Sequence, residues 1–126
     1  MRVFKLKGFA RFMQRERITD AMLCKAVARA ERGLIDADLG SGLVKLRLAR
    51  IGQGKSGGYR TLLAYRVGER SVFLYGFAKN ERDNIDEAEL RVWRATARGF
   101  LELSGGALKA RIADDDVKEV YCGEEE

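Results

Sequence analysis

The feature that most narrows the fold is a change of hydrophobic period in the middle of the chain. Val44, Leu46 and Leu48 alternate with Lys45, Arg47 and Ala49, the two-residue period of a strand with one basic face. Residues 59–67 and 71–79 are mostly apolar on both faces, as expected of strands near the centre of a sheet. Between them, Val67-Gly68-Glu69-Arg70 suits a tight hairpin with Gly68 supplying the unusual φ. Three consecutive strands on short connections predict an antiparallel meander.

Helical spacing lies on both sides of this meander. Residues 2–7 read as a short strand with Val3 and Lys5 on one face and Phe4 and Leu6 on the other. Phe9, Phe12 and Met13 follow at i, i+3 and i+4, which predicts a short helix. Thr19 is a good N-cap for a second helix over Asp20–Arg32, with Leu23, Val27 and Ala30 inward and Gly33 closing it. Asp86, with Glu89 three positions on, caps a later helix whose buried stripe is Leu90, Trp93, Ala97, Phe100 and Leu101, and which Gly105 ends. Leu108 and Ile112 indicate a further short helix, and Val117–Cys122 a last strand. The expectation is an α+β fold: an antiparallel sheet of about four strands with two N-terminal helices and a C-terminal helix packed against it. A chain of 126 residues makes one domain, 1–126, with residues 106–126 as a small acidic appendix.

Composition removes several classes of function. There is no histidine, so the serine triad, paired-histidine ribonuclease chemistry and most zinc sites are excluded. Any catalysis must run on Lys, Arg, Asp, Glu or Tyr. No apolar run approaches the ~18 residues of a membrane span, and the N-terminus lacks the apolar core of a signal peptide. A cytoplasmic protein without a membrane partner is the expectation. Cys24 and Cys122 are far apart and without CxxC spacing, which favours reduced packing thiols over a disulfide or a metal site. The net charge of +5 is unevenly spread. Residues 114–126 hold seven acidic groups against Lys118, a net of −6, so the preceding 113 residues carry +11. A body that basic fits nucleic acid as a partner.

The stretch GQGKSGGYRTLLAY, residues 52–65, sets glycines and cations directly before a strand. A nucleotide-binding P-loop fails here, because the first glycine position of that motif is Ala49 and a strand rather than a helix follows Ser56. The cations point instead to a phosphate backbone. Lys45, Arg47 and Arg50 lie on the first meander strand, Lys55 in the glycine segment and Arg60 at the start of the second strand. The third strand ends in YGFAKNERDNI and delivers Lys79 and Arg82. Gly57 and Gly58 let backbone approach a ligand. Tyr59, Tyr75 and Phe77 are candidates for base stacking or, alternatively, for the core. Arg91, Arg94 and Arg98 form a stripe on the C-terminal helix, open to two readings. One is docking on RNA; the other is a solvated face steadied by a Glu87–Arg91 pair.

RLARIGQGKSGGYRTLLAY followed by VFLYGFAKNERDNI and a capped helix resembles the RelE/ParE superfamily of bacterial toxins, closest to its HigB-like RelE branch. The likeness covers about residues 1–105 and is strongest over 44–86. It implies a microbial-ribonuclease-like fold and a cytoplasmic mRNA interferase acting on ribosome-bound message without metal or cofactor. It also implies a partner antitoxin, expected as a small helix-turn-helix protein. By position, Arg60 and Lys79 match the family's catalytic cations, with Lys55 and Arg50 near further basic positions and Arg82 joining the set. Asn80 and Asp86 stand where RelE has an arginine and a tyrosine. Chemistry agrees in kind: arginine forks suit a phosphate clamp. A lysine among like charges loses its proton more readily, so Lys55 or Lys79 can serve as base, with Glu81 the nearby carboxylate. Two alternatives remain in the sequence: a gyrase-poisoning toxin of the ParE branch and a non-catalytic RNA-binding module.

Overall fold

The computed structural model describes residues 1–50, 54–82 and 84–123, with side chains for all of these but residues 50 and 54–57. In chain order the elements are β1 (Arg2–Leu6), α1 (Lys7–Glu16), α2 (Asp20–Glu31), β2 (Ala37–Gly40) and β3 (Leu43–Arg50). They continue as β4 (Gly54–Arg66), β5 (Arg70–Ala78), α3 (Glu87–Glu102), α4 (Gly105–Ala113) and β6 (Val117–Val120). The strands form one sheet in the order β2-β3-β4-β5-β1-β6. The meander β3-β4-β5 is antiparallel as expected, and Gly68 turns the second hairpin at φ +73°.

The fold class holds, but the sheet is larger and more mixed than the sequence indicated. Among the described residues it has six strands rather than about four. β1 pairs parallel with β5, Val3 opposite Ser71 and Phe4 opposite Val72. That pairing joins segments about seventy residues apart, so no local pattern announces it. β2 is four residues, ADLG, without the β-branched and aromatic content that marks a strand. β6 runs antiparallel to β1, so residues 117–120 form one edge of the sheet.

Because side chains alternate across a strand, both faces of the central strands need cover. α1 and α2 supply it on one side, where Phe9, Phe12, Met13, Leu23 and Val27 meet Val3, Leu46, Leu48, Leu63 and Phe73. α3 and α4 supply it on the other, where Ala97, Phe100, Leu101 and Leu108 meet Phe4, Leu43, Leu62, Ala64 and Val72. The helices therefore flank the sheet on both faces.

Local signals place the helix ends well. The Thr19 hydroxyl accepts from Met22 N–H at 3.3 Å and the Asp86 carboxylate from Glu89 N–H at 2.9 Å. After α2, Gly33 N–H returns to Ala30 O at 2.9 Å and Leu34 N–H to Arg29 O at 3.0 Å. Gly105 does not end α3. It opens α4, for which Ser104 is the N-cap, accepting from Ala107 N–H at 3.0 Å. Among the described residues, no helix is long and apolar enough to cross a membrane.

The two cysteines are bonded rather than free. Cys24 on α2 and Cys122 after β6 form a disulfide with Cα atoms 5.5 Å apart. The antiparallel run of β6 beside β1 carries residue 122 back to α2, a closeness that chain separation hides.

Candidate functional site

Strand register determines which cations share a face. Arg47 lies opposite Arg60 across β3–β4, and Lys45 opposite Leu62. Arg60 lies opposite Phe77 across β4–β5. Directly opposed residues point to the same side of a sheet, so Lys45, Arg47, Arg60 and Phe77 project toward the α3 side. Lys79 continues that ladder, its N–H donating to Gly58 O at 3.2 Å. Position 58 has the same parity as 60, which puts Lys79 on the face of Arg60. α3 covers the part of this face near Leu62, Ala64 and Val72. Beyond that cover, Arg47 is exposed and Lys45 and Lys79 are half-buried.

Arg60 is the least accessible of the group, at 8% exposure. Its Nε lies 3.7 Å from Asp36 Oδ2, and Arg47 Nε lies 3.8 Å from the same oxygen. Asp36 was not visible in the sequence as a site residue; no motif marks an aspartate in the connection from α2 to β2. The side chains of Lys55 and Arg50 lie outside the described residues, although the backbone pairs Arg50 with Gly54 at the end of the ladder.

Several residues read from sequence as ligand contacts make internal ones. Tyr59 has the parity of Leu48 and Ala78 and faces the α1–α2 side. It is 3% exposed, meets Phe12 edge-on at 5.7 Å, and donates through its hydroxyl to Glu16 Oε1 at 3.1 Å. The ring is core, not a stacking platform. Phe77 is also buried, and Tyr75 stacks on Trp93 at 5.3 Å. Gly58 serves packing between strands: a Cβ there would sit 2.4 Å from Leu48 O. The glycine segment is itself strand from Gly54 onward.

Arg82 is held on several sides. It donates to Asn84 O at 2.9 Å and to the Tyr75 hydroxyl at 3.1 Å, and pairs with Glu89 on α3. The arginines of α3 divide similarly. Arg94 donates to Leu39 O at 2.6 Å and pairs with Glu87 at 2.7 Å; Arg98 donates to Ser41 Oγ at 2.9 Å. Both clamp α3 to the β2–β3 turn. Arg91 is exposed, and the ion pair of Glu87 is made with Arg94 rather than Arg91. The hydrogen bond from Arg94 holds the Glu87 carboxyl below its ordinary pKa.

The profile of the RelE toxin of the RelE/RelB toxin–antitoxin system matches residues 1–120. The chain belongs to the RelE toxin family. No curated protein matches it. The match reaches through α4 and β6, beyond the segment that carries the resemblance in sequence. In this RelE-family chain the basic face thus lies at the end of β3, β4 and β5, where register sets Arg47, Arg60 and Lys79 on one side of the sheet.

Proposed function

We propose that this RelE-family chain is a HigB-like toxin of a type II toxin–antitoxin pair and an endoribonuclease that cuts message on the ribosome. The observation that carries the reading is the register that brings Arg47, Arg60 and Lys79 onto one sheet face in a family of such toxins. Cleavage begins when the 2′-hydroxyl attacks the adjacent phosphorus. The O2′–P bond forms, the P–O5′ bond breaks, and the products are a 2′,3′-cyclic phosphate and a 5′-hydroxyl. Arg60, together with Lys45, Arg47 and Arg50, neutralises charge that grows on the phosphoryl oxygens. Lys79 takes the 2′-hydroxyl proton, and Lys55, the second lysine of the set, gives a proton to the departing O5′. Arg82, already committed to Glu89 and Tyr75, frames the site between β5 and α3.

Arg91 is the arginine of the α3 stripe assigned to ribosomal RNA, because Arg94 and Arg98 are engaged within the fold. The partners are the ribosome and its message, and a small helix-turn-helix antitoxin that silences the toxin; the site of action is the cytoplasm. Inducing the chain in cells and mapping message 5′ ends by primer extension tests the reading. Discrete cuts within codons are expected. Intact messages accompanied by DNA breaks would indicate a gyrase poison instead, and intact messages and DNA with bound RNA a non-catalytic module.

A further inference from the structure

The open edge of β3 carries an acidic group, Asp36, that no sequence motif marks. β2 pairs with β3 only from Leu43 to Lys45, so the rest of β3 has no strand neighbour on that side among the described residues. The connection from α2 crosses this edge, fixed by Asp36 N–H donating to Lys45 O at 2.9 Å. Arg29 on α2 secures the same edge by donating to Arg47 O at 2.8 Å. The crossing brings Asp36 Oδ2 to 3.7 Å from Arg60 Nε and 3.8 Å from Arg47 Nε.

Two arginines directly opposite each other across a ladder repel, and a guanidinium as enclosed as Arg60 needs a counter-charge. Asp36 answers both with one oxygen. Its side chain is 24% exposed against 10% for Arg60, so it stands at the rim while the guanidinium lies beneath. We infer that Asp36 is a positioning residue: it holds Arg60 by the Nε side of its fork and sets it against Arg47, so that both meet one phosphate. The catalytic consequence rests on the nuclease reading above; the hold on Arg60 does not.

The two parts separate in the test. Asp36→Asn keeps the shape and removes the charge, and Asp36→Glu restores the charge on a longer stem. The Arg60 Nε–H signal is followed by NMR, assigned through its loss in Arg60→Lys, alongside single-turnover cleavage of message on purified ribosomes. In Asp36→Asn the Arg60 signal should move and exchange faster with water. The cleavage rate should fall by up to roughly a hundredfold, the scale of a catalytic group misplaced by about 1 Å. Ribosome affinity should stay equal or rise, since one negative charge has left a cation cluster. Asp36→Glu should recover part of both the signal and the rate. An unmoved Arg60 signal in Asp36→Asn overturns the inference, as does an unchanged rate with a moved signal. Rate, affinity and backbone amide spectrum all collapsing together would make Asp36 structural only and overturn it too. If wild-type protein cuts nothing, the nuclease reading falls, and the Arg60 signal alone decides whether Asp36 holds that side chain.

Discussion

Along β4, Tyr59 and Leu63 pack toward α1 and α2 while Leu62 and Ala64 pack toward α3, with Arg60 on the latter side. One step in register exchanges a packed ring for a cation, so the identity of each residue at the end of this strand carries structural weight. Gly58 is the tightest case. A methyl group there meets Leu48 O at 2.4 Å, and backbone cannot rotate away as a side chain can. Gly58→Ala should destabilise the fold by ~1–3 kcal/mol through overpacking, read as a lower denaturant midpoint; an unchanged midpoint would contradict the close approach. The cations were legible in sequence because alternation in β3 set Lys45 and Arg47 on one face. Tyr59 was not, since its type fits a stacking platform and a core equally, and only its partners Leu48 and Ala78 decide between them. Asp36 was invisible because its role depends on where a connection crosses a sheet edge.

At the level of elements, α3 is fastened to the far edge of the sheet by arginines whose spacing alone read as either a docking stripe or a solvated face. Arg94 reaches Leu39 O and Arg98 reaches Ser41. Arg94→Gln should therefore speed amide hydrogen exchange in β2 without unfolding the centre, whereas Arg91→Gln should leave β2 exchange unchanged; equal effects of the two changes would contradict this division. β6 is tied to β1 by a two-pronged pair, Arg2 Nε and Nη2 to the Glu119 carboxylate at 3.0 and 2.8 Å. The hydrogen bond to Arg2 lowers the pKa of Glu119 below its ordinary value. A depressed carboxylate contributes stability above its unfolded pKa of about 4.3, and that contribution is lost as pH falls through the lower folded value. Glu119→Gln should remove this part of the acid sensitivity, so wild type and variant should converge in stability at the acid end of a pH series. A constant gap across the series would contradict the pairing. Helix existence and caps were legible because Thr19 and Asp86 act locally; β2 and the β1–β5 pairing were not, because one is short and the other is non-local.

At the scale of the whole molecule, a disulfide spanning 98 residues ties the end of the chain to α2. Closing so long a loop restricts the unfolded chain, and losing such a bond typically costs about 2–5 kcal/mol. Cys24→Ser and Cys122→Ser should each lower Tm by several degrees, and dithiothreitol should bring wild type to the same Tm; no difference between oxidised and reduced protein would contradict the bond. It lies at the end of the sheet near the β6–β1 pairing, away from Arg60 and Lys79, so reduction should leave their placement intact. The fold class followed from periodicity, whereas the bond and the two-sided helical cover follow from tertiary pairing that periodicity cannot carry. The central claim is that Arg60 and Lys79 form a message-cutting site, and end-mapping of a message on purified ribosomes tests it most directly. Wild type should yield fragments ending in 2′,3′-cyclic phosphate, and Arg60→Ala and Lys79→Ala, folded and ribosome-bound, should each slow the cut by about a hundredfold or more, the loss of ~3 kcal/mol of transition-state stabilisation. Full-rate cleavage by both variants, or no cleavage by wild type, would contradict it.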